Sequence, residues 1–565
     1  MSRALPALPG FLATAGGVED DTAMRGGVHL ATWGLPAHGD AAWVISPTSR
    51  TAHGPVGRDA IAVELTTDPA ALTRLLPPFA ALRADDDGVT MVADSMGFRP
   101  LFHSEPGAAG AAVLSSSALA AGRSRRAALD LIAIGTQSLL GWQLGQRTLF
   151  DVIVKLAPGA VALLDGDGVD VRIAPTRQPD PLRSGEAVTR AASLLRSALA
   201  ALLDEHPDAV LQLTGGLDSR LLLSAIPEHR RRGLHAMTLG VPGSGDVAIA
   251  SAIAERYGIH HTVHVLAYLG ALTPAEAWEA TRDAAERLDG MSDPVAFAAL
   301  AVAERSFAQG VRISGLGGEI ARGFYYVGTV RDRPYTAADA SRLARWRMFA
   351  NEAVEPGVLT GEFARWALAE AEREVFEALL DGGPEWFRAT DALYLRHRMQ
   401  RWAGATDTAV GPERIVINPM LDPGFLDIAA GLTPRDKAGS RFLAALQMEL
   451  DPELGRRPLE GRPSPAAYAD PPPWQPAAQA ALTGRRLARK ALQRVTRSNR
   501  PPAGGEVLAA KVVEHWRAHP DLLAPLTGLS FVEQDWLEQV LRGAREPNPS
   551  AVGFLTDLVV TVPSG

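Results

Sequence analysis

The chain has 565 residues with 56 Lys+Arg against 64 Asp+Glu, a net charge of −8, and it is 47 % hydrophobic and 21 % charged. That balance suits two or three compact domains and excludes a broad cationic surface for nucleic acid. The chain contains no cysteine, which excludes disulfides, thiolate metal sites and cysteine nucleophiles.

The first ten residues are interrupted by Pro6 and Pro9 and make a poor apolar segment for secretion. No apolar run approaches the ~20 residues that span a bilayer. A cytoplasmic chain with no membrane and no nucleic-acid partner is expected. Residues 1–175 alternate short β-like runs (Ala42–Ile45, Val89–Ala93, Ala112–Ser115, Val161–Leu164) with Gly and Asp turns. From about Gly185 the period changes to helix at Ala187–Leu203, strand at Ala209–Leu213 and helix at Ser219–Ile226. Strand and helix go on alternating through His235–Gly240, Val247–Tyr257, His261–Leu266 and Val311–Ser314. This α/β pattern predicts a doubly wound parallel sheet. From about Thr336 the chain reads as mostly helical. A Pro-rich stretch, Arg462–Pro476, and a basic run, Arg485–Arg500, follow. The expected domains are 1–175, 185–470 and a helical 471–565.

One turn between strand and helix stands out: Leu213-Thr214-Gly215-Gly216-Leu217-Asp218-Ser219. Two glycines allow close backbone approach to a polyphosphate, and the amides opening the next helix face an anion. The Thr214 and Ser219 hydroxyls can donate to phosphate, and Asp218 can hold the magnesium that accompanies ATP. No Gly-Lys-Ser/Thr follows, so this is not a Walker loop. A plain Gly-Gly turn capped by Asp218 or Ser219 would have the same local sequence. A second glycine-rich turn, Ser314-Gly315-Leu316-Gly317-Gly318-Glu319, closes another predicted strand.

The first turn resembles the Ser-Gly-Gly-x-Asp-Ser pyrophosphate loop of the asparagine synthetase family. The second resembles that family's Ser-Gly-Glu-Gly-x-Asp motif. Met237-Thr238-Leu239-Gly240 with Asp246 resembles the strand–helix unit between them. The resemblance implies a PP-loop domain that binds ATP and Mg²⁺, with the nucleoside near Leu213, Leu239, Ser314 and Gly315. It places the triphosphate on Thr214–Ser219, with Leu217 in the loop, and the cation between Asp218 and Glu319. Ala93–Phe102 and Thr148–Gly159 resemble parts of the glutaminase domain that precedes asparagine synthetases, an αββα sandwich. That domain needs an N-terminal cysteine nucleophile. Ser2 is a far weaker nucleophile, so a degenerate, inactive scaffold is expected.

Departures narrow the resemblance further. Leu316 stands where asparagine synthetases carry Glu and β-lactam synthetases carry a Tyr that helps deprotonate the amine. Arg457–Arg462 aligns with the family's Arg-x-Lys-x-Gly-Phe stretch and puts Leu459 in the lysine's place, so Arg457 or Arg462 is expected to supply the cation. With Tyr325–Tyr326 added, the chain looks like the lasso-peptide cyclases. Those enzymes adenylate an Asp or Glu side chain of a precursor peptide and join it to the peptide's N-terminal amine, working beside a leader peptidase and a precursor-recognition protein. A small-molecule amide or β-lactam synthetase, or a silent binding homologue, is the alternative. Asp293 fits either a substrate-facing position or a helix N-cap. His260, His261 and His264 read as the exposed face of a strand. Arg396, His397, Arg398 and Arg401 read as a solvated helix face.

Overall fold

The computed structural model describes residues 8–15, 23–25, 27–35, 42–173, 180–240, 245–305, 307, 310–350, 352–469 and 504–562. Ser2, the basic run Arg485–Arg500 and the Pro-rich stretch beyond Ala469 lie outside these residues.

The N-terminal part builds two antiparallel sheets. One runs Ile153–Lys155, Phe102–Ser104, Ala112–Ser115, Gly10–Ala15, Val28–Trp33 and Ala23–Arg25. The other runs Gly168–Ile173, Ala160–Asp165, Gly88–Ala93, Ala80–Asp85 and Ala42–Val44. Strand alternation decides what each face buries. Ala80, Leu82 and Ala84 enter the core between the sheets, with Phe11, Val28, Met91 and Leu114. Ala81 joins a separate cluster with Ile61 and Leu65 of the helix Arg58–Thr67. On the far side, Leu119 and Ile134 of the helices Ala118–Arg125 and Leu131–Leu140 join Phe102 and Val113. The layers are therefore helix, sheet, sheet, helix.

The next part is a five-stranded parallel sheet in the order His260–Val265, His235–Gly240, Val210–Gln212, Arg312–Ile313 and Val416–Ile417. The helices Leu217–Ala225 and Asp246–Tyr257 connect its early strands. The fifth strand lies within the mostly helical chain after Thr336 and was not foreseen. At two residues it carries no legible alternation. His235–Gly240 lies on one side of Val210–Gln212 and Arg312–Ile313 on the other, so the winding reverses beside Val210–Gln212. A crevice opens beyond the carboxyl ends of the strands at such a reversal.

The C-terminal helices Gly505–Ala518 and Pro549–Thr561 pack on Pro274–Arg287 and Pro294–Arg305 through Trp278, Val295, Val513, Trp516 and Leu555. The rings of Trp278 and Trp516 meet edge-on at 6.0 Å. This cluster also contains Phe102 and Ile134, so the N-terminal sheet and the C-terminal helices share one core. Truncating Trp516 would cost about 3–5 kcal/mol. Among the described residues no helix is long and apolar enough to cross a membrane.

Candidate nucleotide site

The first turn leaves the strand Val210–Gln212 and is tied down by its own side chains. Thr214 N–H donates to Ser219 Oγ (3.1 Å), the two hydroxyl oxygens lie 3.0 Å apart, and Gly216 N–H donates to Thr214 Oγ1 (3.1 Å). Gly215 N–H donates to Asp246 Oδ1 at 2.8 Å. Gly216 then caps the helix Leu217–Ala225 with no side-chain acceptor for the first-turn amides. Uncapped amides at a helix start are the donors that bind an anion. Leu213 stays within the sheet: its N–H donates to Met237 O, and its carbonyl accepts from Thr238 Oγ1. Leu239 packs half-buried beside Met237.

The second turn leaves the adjacent strand, Arg312–Ile313, and touches the first. A Cβ on Gly315 would come within 2.8 Å of Ser219 N, and one on Gly318 would overlap the Asp218 carboxylate. Only glycine permits this approach. It brings Asp218 and Glu319 to one Arg322 nitrogen, Nη2, which lies 2.8 Å from Glu319 Oε1 and 3.6 Å from Asp218 Oδ2. The other oxygen of each carboxylate, Asp218 Oδ1 and Glu319 Oε2, is buried without a hydrogen-bond partner. Burial, and then the neighbouring Glu319 charge, push the Asp218 carboxyl up to about 7, while Arg322 and Arg462 pull it down. Two orphaned carboxylate oxygens facing a phosphate-binding turn fit Mg²⁺, a hard ion that takes one or two carboxylates and completes its shell with phosphates and water. Among the described residues no group of three or more His, Cys, Asp or Glu could hold a metal.

The segment Arg457–Arg462 folds over the first turn. Glu460 N–H donates to Gly215 O (3.1 Å), and Gly245 N–H donates to the Glu460 carboxylate (3.3 Å). Arg220, the residue after Ser219, is fully buried. It anchors this segment by donating to the carbonyls of Leu454 (3.3 Å), Arg457 (2.7 Å) and Pro458 (2.9 Å). Leu459 turns into the core. Arg457 lies 3.8 Å from Glu453, whereas Arg462 stands where its charge reaches Asp218.

Asp293 caps the helix Pro294–Arg305, accepting from Val295 N–H (2.9 Å) and Ala296 N–H (3.3 Å). It also lines a cavity with Gln137, Glu352, Phe554 and Asp557. Burial pushes its carboxyl up to about 6. Gln137 Nε2 donates to Asp557 Oδ2 at 2.8 Å. Tyr325 is buried against Phe324 and Tyr394, and the Tyr326 hydroxyl donates to Asp391. Leu316 is half-buried against the core.

Two surface readings require correction. Arg401 is fully buried and donates to the carbonyls of Gly145 and Arg147, and buried His397 pairs with Asp381. Arg398 sits among Trp142, Phe324 and Trp402. The segment Tyr394–Gly404 is π-helical, and the wider turn places residues where α spacing does not. His261, read as exposed, is instead held between Thr238 Oγ1 (2.7 Å) and Ser251 Oγ (3.3 Å). Sequence reasoning gave no role to Arg220, Arg322 and Glu460, and placed Asp246 only within a resembling strand–helix unit. The only local signal for any of them was the Asp246 N-terminal helix position and the Arg that ends the first turn.

Paired glycine turns lie at a sheet's switch point, with two carboxylates between them and uncapped helix amides beside them, an arrangement that suits the phosphates of a nucleotide and their cation. Residues 190–438 match the family described as asparagine synthase. No curated protein matches the chain.

Proposed function

We propose that the chain is a lasso-peptide cyclase: it adenylates an Asp or Glu side chain of a precursor peptide and joins it to the peptide's N-terminal amine, releasing AMP and pyrophosphate. The contact between the two turns, which gathers Asp218 and Glu319 at the strand tips, carries this reading. In it, the first-turn amides of Leu217–Ala225 receive the phosphates, and Asp218 and Glu319 hold the cation. Bound Mg²⁺ supplies neutralisation of the charge that grows on the departing pyrophosphate. Leu316 supports a peptide whose amine arrives neutral, because it offers no base; an α-amino group has a pKa of ~8. Two reacting groups on one bound chain supply high effective molarity. Exposed Trp402, stacked under the Arg398 guanidinium, suits a peptide-sized partner. The N-terminal sandwich serves here as a glutaminase-like scaffold without its nucleophile, and a leader peptidase and a precursor-recognition protein act upstream.

The test is incubation with ATP, Mg²⁺ and a leaderless core peptide, followed by mass spectrometry. A product one water lighter, with equimolar AMP, supports the reading. Pyrophosphate exchange driven by small carboxylic acids but not by peptide would reassign the chain to a small-molecule synthetase. No exchange with either would make it a binding homologue.

A further inference from the structure

We infer that Arg322 is the guanidinium that grips the leaving pyrophosphate, supplying from the second turn the cation that Leu459 does not provide. This rests on the ligase reading above. Leu459 is buried in the core, and Arg457 lies beside Glu453. Arg322 instead sits where the two turns meet, within ion-pair distance of both carboxylates.

Its bonding pattern points outward. Both contacts run through Nη2, to Glu319 Oε1 and Asp218 Oδ2, and among the described residues Nη1 and Nε have no acceptor. A guanidinium presents five donors in a rigid plane, and the N–H groups of Nη1 and Nε are left to donate individually to phosphate oxygens. The carboxylates thus hold the plane by one corner, while Asp218 Oδ1 and Glu319 Oε2 stay available to a cation. The guanidinium and the cation do not compete for the same oxygens, so both positive groups can face one pyrophosphate. During adenylation the peptide carboxylate oxygen bonds to the α-phosphorus and the bond to the bridging oxygen breaks. The electron pair leaves on pyrophosphate, beside Arg322.

Calorimetric titration with magnesium pyrophosphate and, separately, with AMP tests this assignment. Arg322→Gln is expected to weaken magnesium pyrophosphate binding by about ten- to a hundredfold, the scale of a lost charge-assisted hydrogen bond. AMP affinity should hold, while ligand-free melting falls because Asp218 and Glu319 lose their counter-charge. Arg322→Lys, which keeps the charge without the plane, should fall between and covers the case of a poorly folding glutamine variant. Unchanged pyrophosphate affinity, or equal losses for pyrophosphate and AMP, overturns the assignment while leaving the ligase reading intact. Failure of the unaltered protein to bind either ligand would instead remove the ligase reading.

Discussion

Replacing Arg220 with Met should release the segment that covers the phosphate turn. The guanidinium holds three carbonyls, those of Leu454, Arg457 and Pro458. Burial, and then the nearby Arg457 charge, lower it to about 10, still charged at neutral pH. Methionine fills similar space but leaves three carbonyls without their donor. Each costs about 1–3 kcal/mol if it stays buried. The segment can escape most of that by opening to water, which forfeits its closed state by roughly 3 kcal/mol. At about 1.4 kcal/mol per decade, local opening rises about a hundredfold. Hydrogen exchange reads this directly at the amides of Leu459, Glu460 and Arg462, which are bonded to Arg462, Gly215 and Leu459. These should exchange about a hundredfold faster, with the strand His235–Gly240 unaffected and ATP binding weakened. Unchanged exchange at the three amides would refute the anchoring role.

Asp218→Asn should abolish pyrophosphate exchange while leaving melting without Mg²⁺ unchanged or higher, because it removes a buried charge beside Glu319; normal exchange would dismiss the proposed cation site. Gly318→Ala should reduce exchange at least a hundredfold, since its methyl would overlap the Asp218 carboxylate; a crystal structure with Asp218 undisplaced would contradict this. Asp407, half-buried with its carboxylate accepting from Asn418 Nδ2, is pushed up to about 7 by desolvation. The folded chain therefore holds this proton where the unfolded chain has released it, and stability falls as pH rises from about 4 to 7. Asp407→Asn should flatten that fall in urea unfolding, and an unchanged pH slope would count against it.

Legibility followed the range of the interaction. Both glycine turns and the strands Val210–Gln212 and His235–Gly240 follow from local pattern, because a buried strand and a tight turn are each written within a few residues. The partners of Arg322 and Arg220 were not legible, since they depend on how separate turns come together. A two-residue edge strand such as Val416–Ile417 is too short to show a period. The π-helical stretch misled for the opposite reason: its residues show a period, but not the α-helical one, so Arg401 was assigned to the surface.

The Gln137–Asp557 bond joins positions 420 residues apart. At ~5–20 residues per second, a ribosome needs roughly 20 seconds to a minute and a half to deliver the second partner after the first. Throughout that interval Gln137 waits without its partner, although Ile134 of the same helix can already pack on Phe102 and Val113. Timing during synthesis, as much as final stability, then governs how many copies assemble correctly.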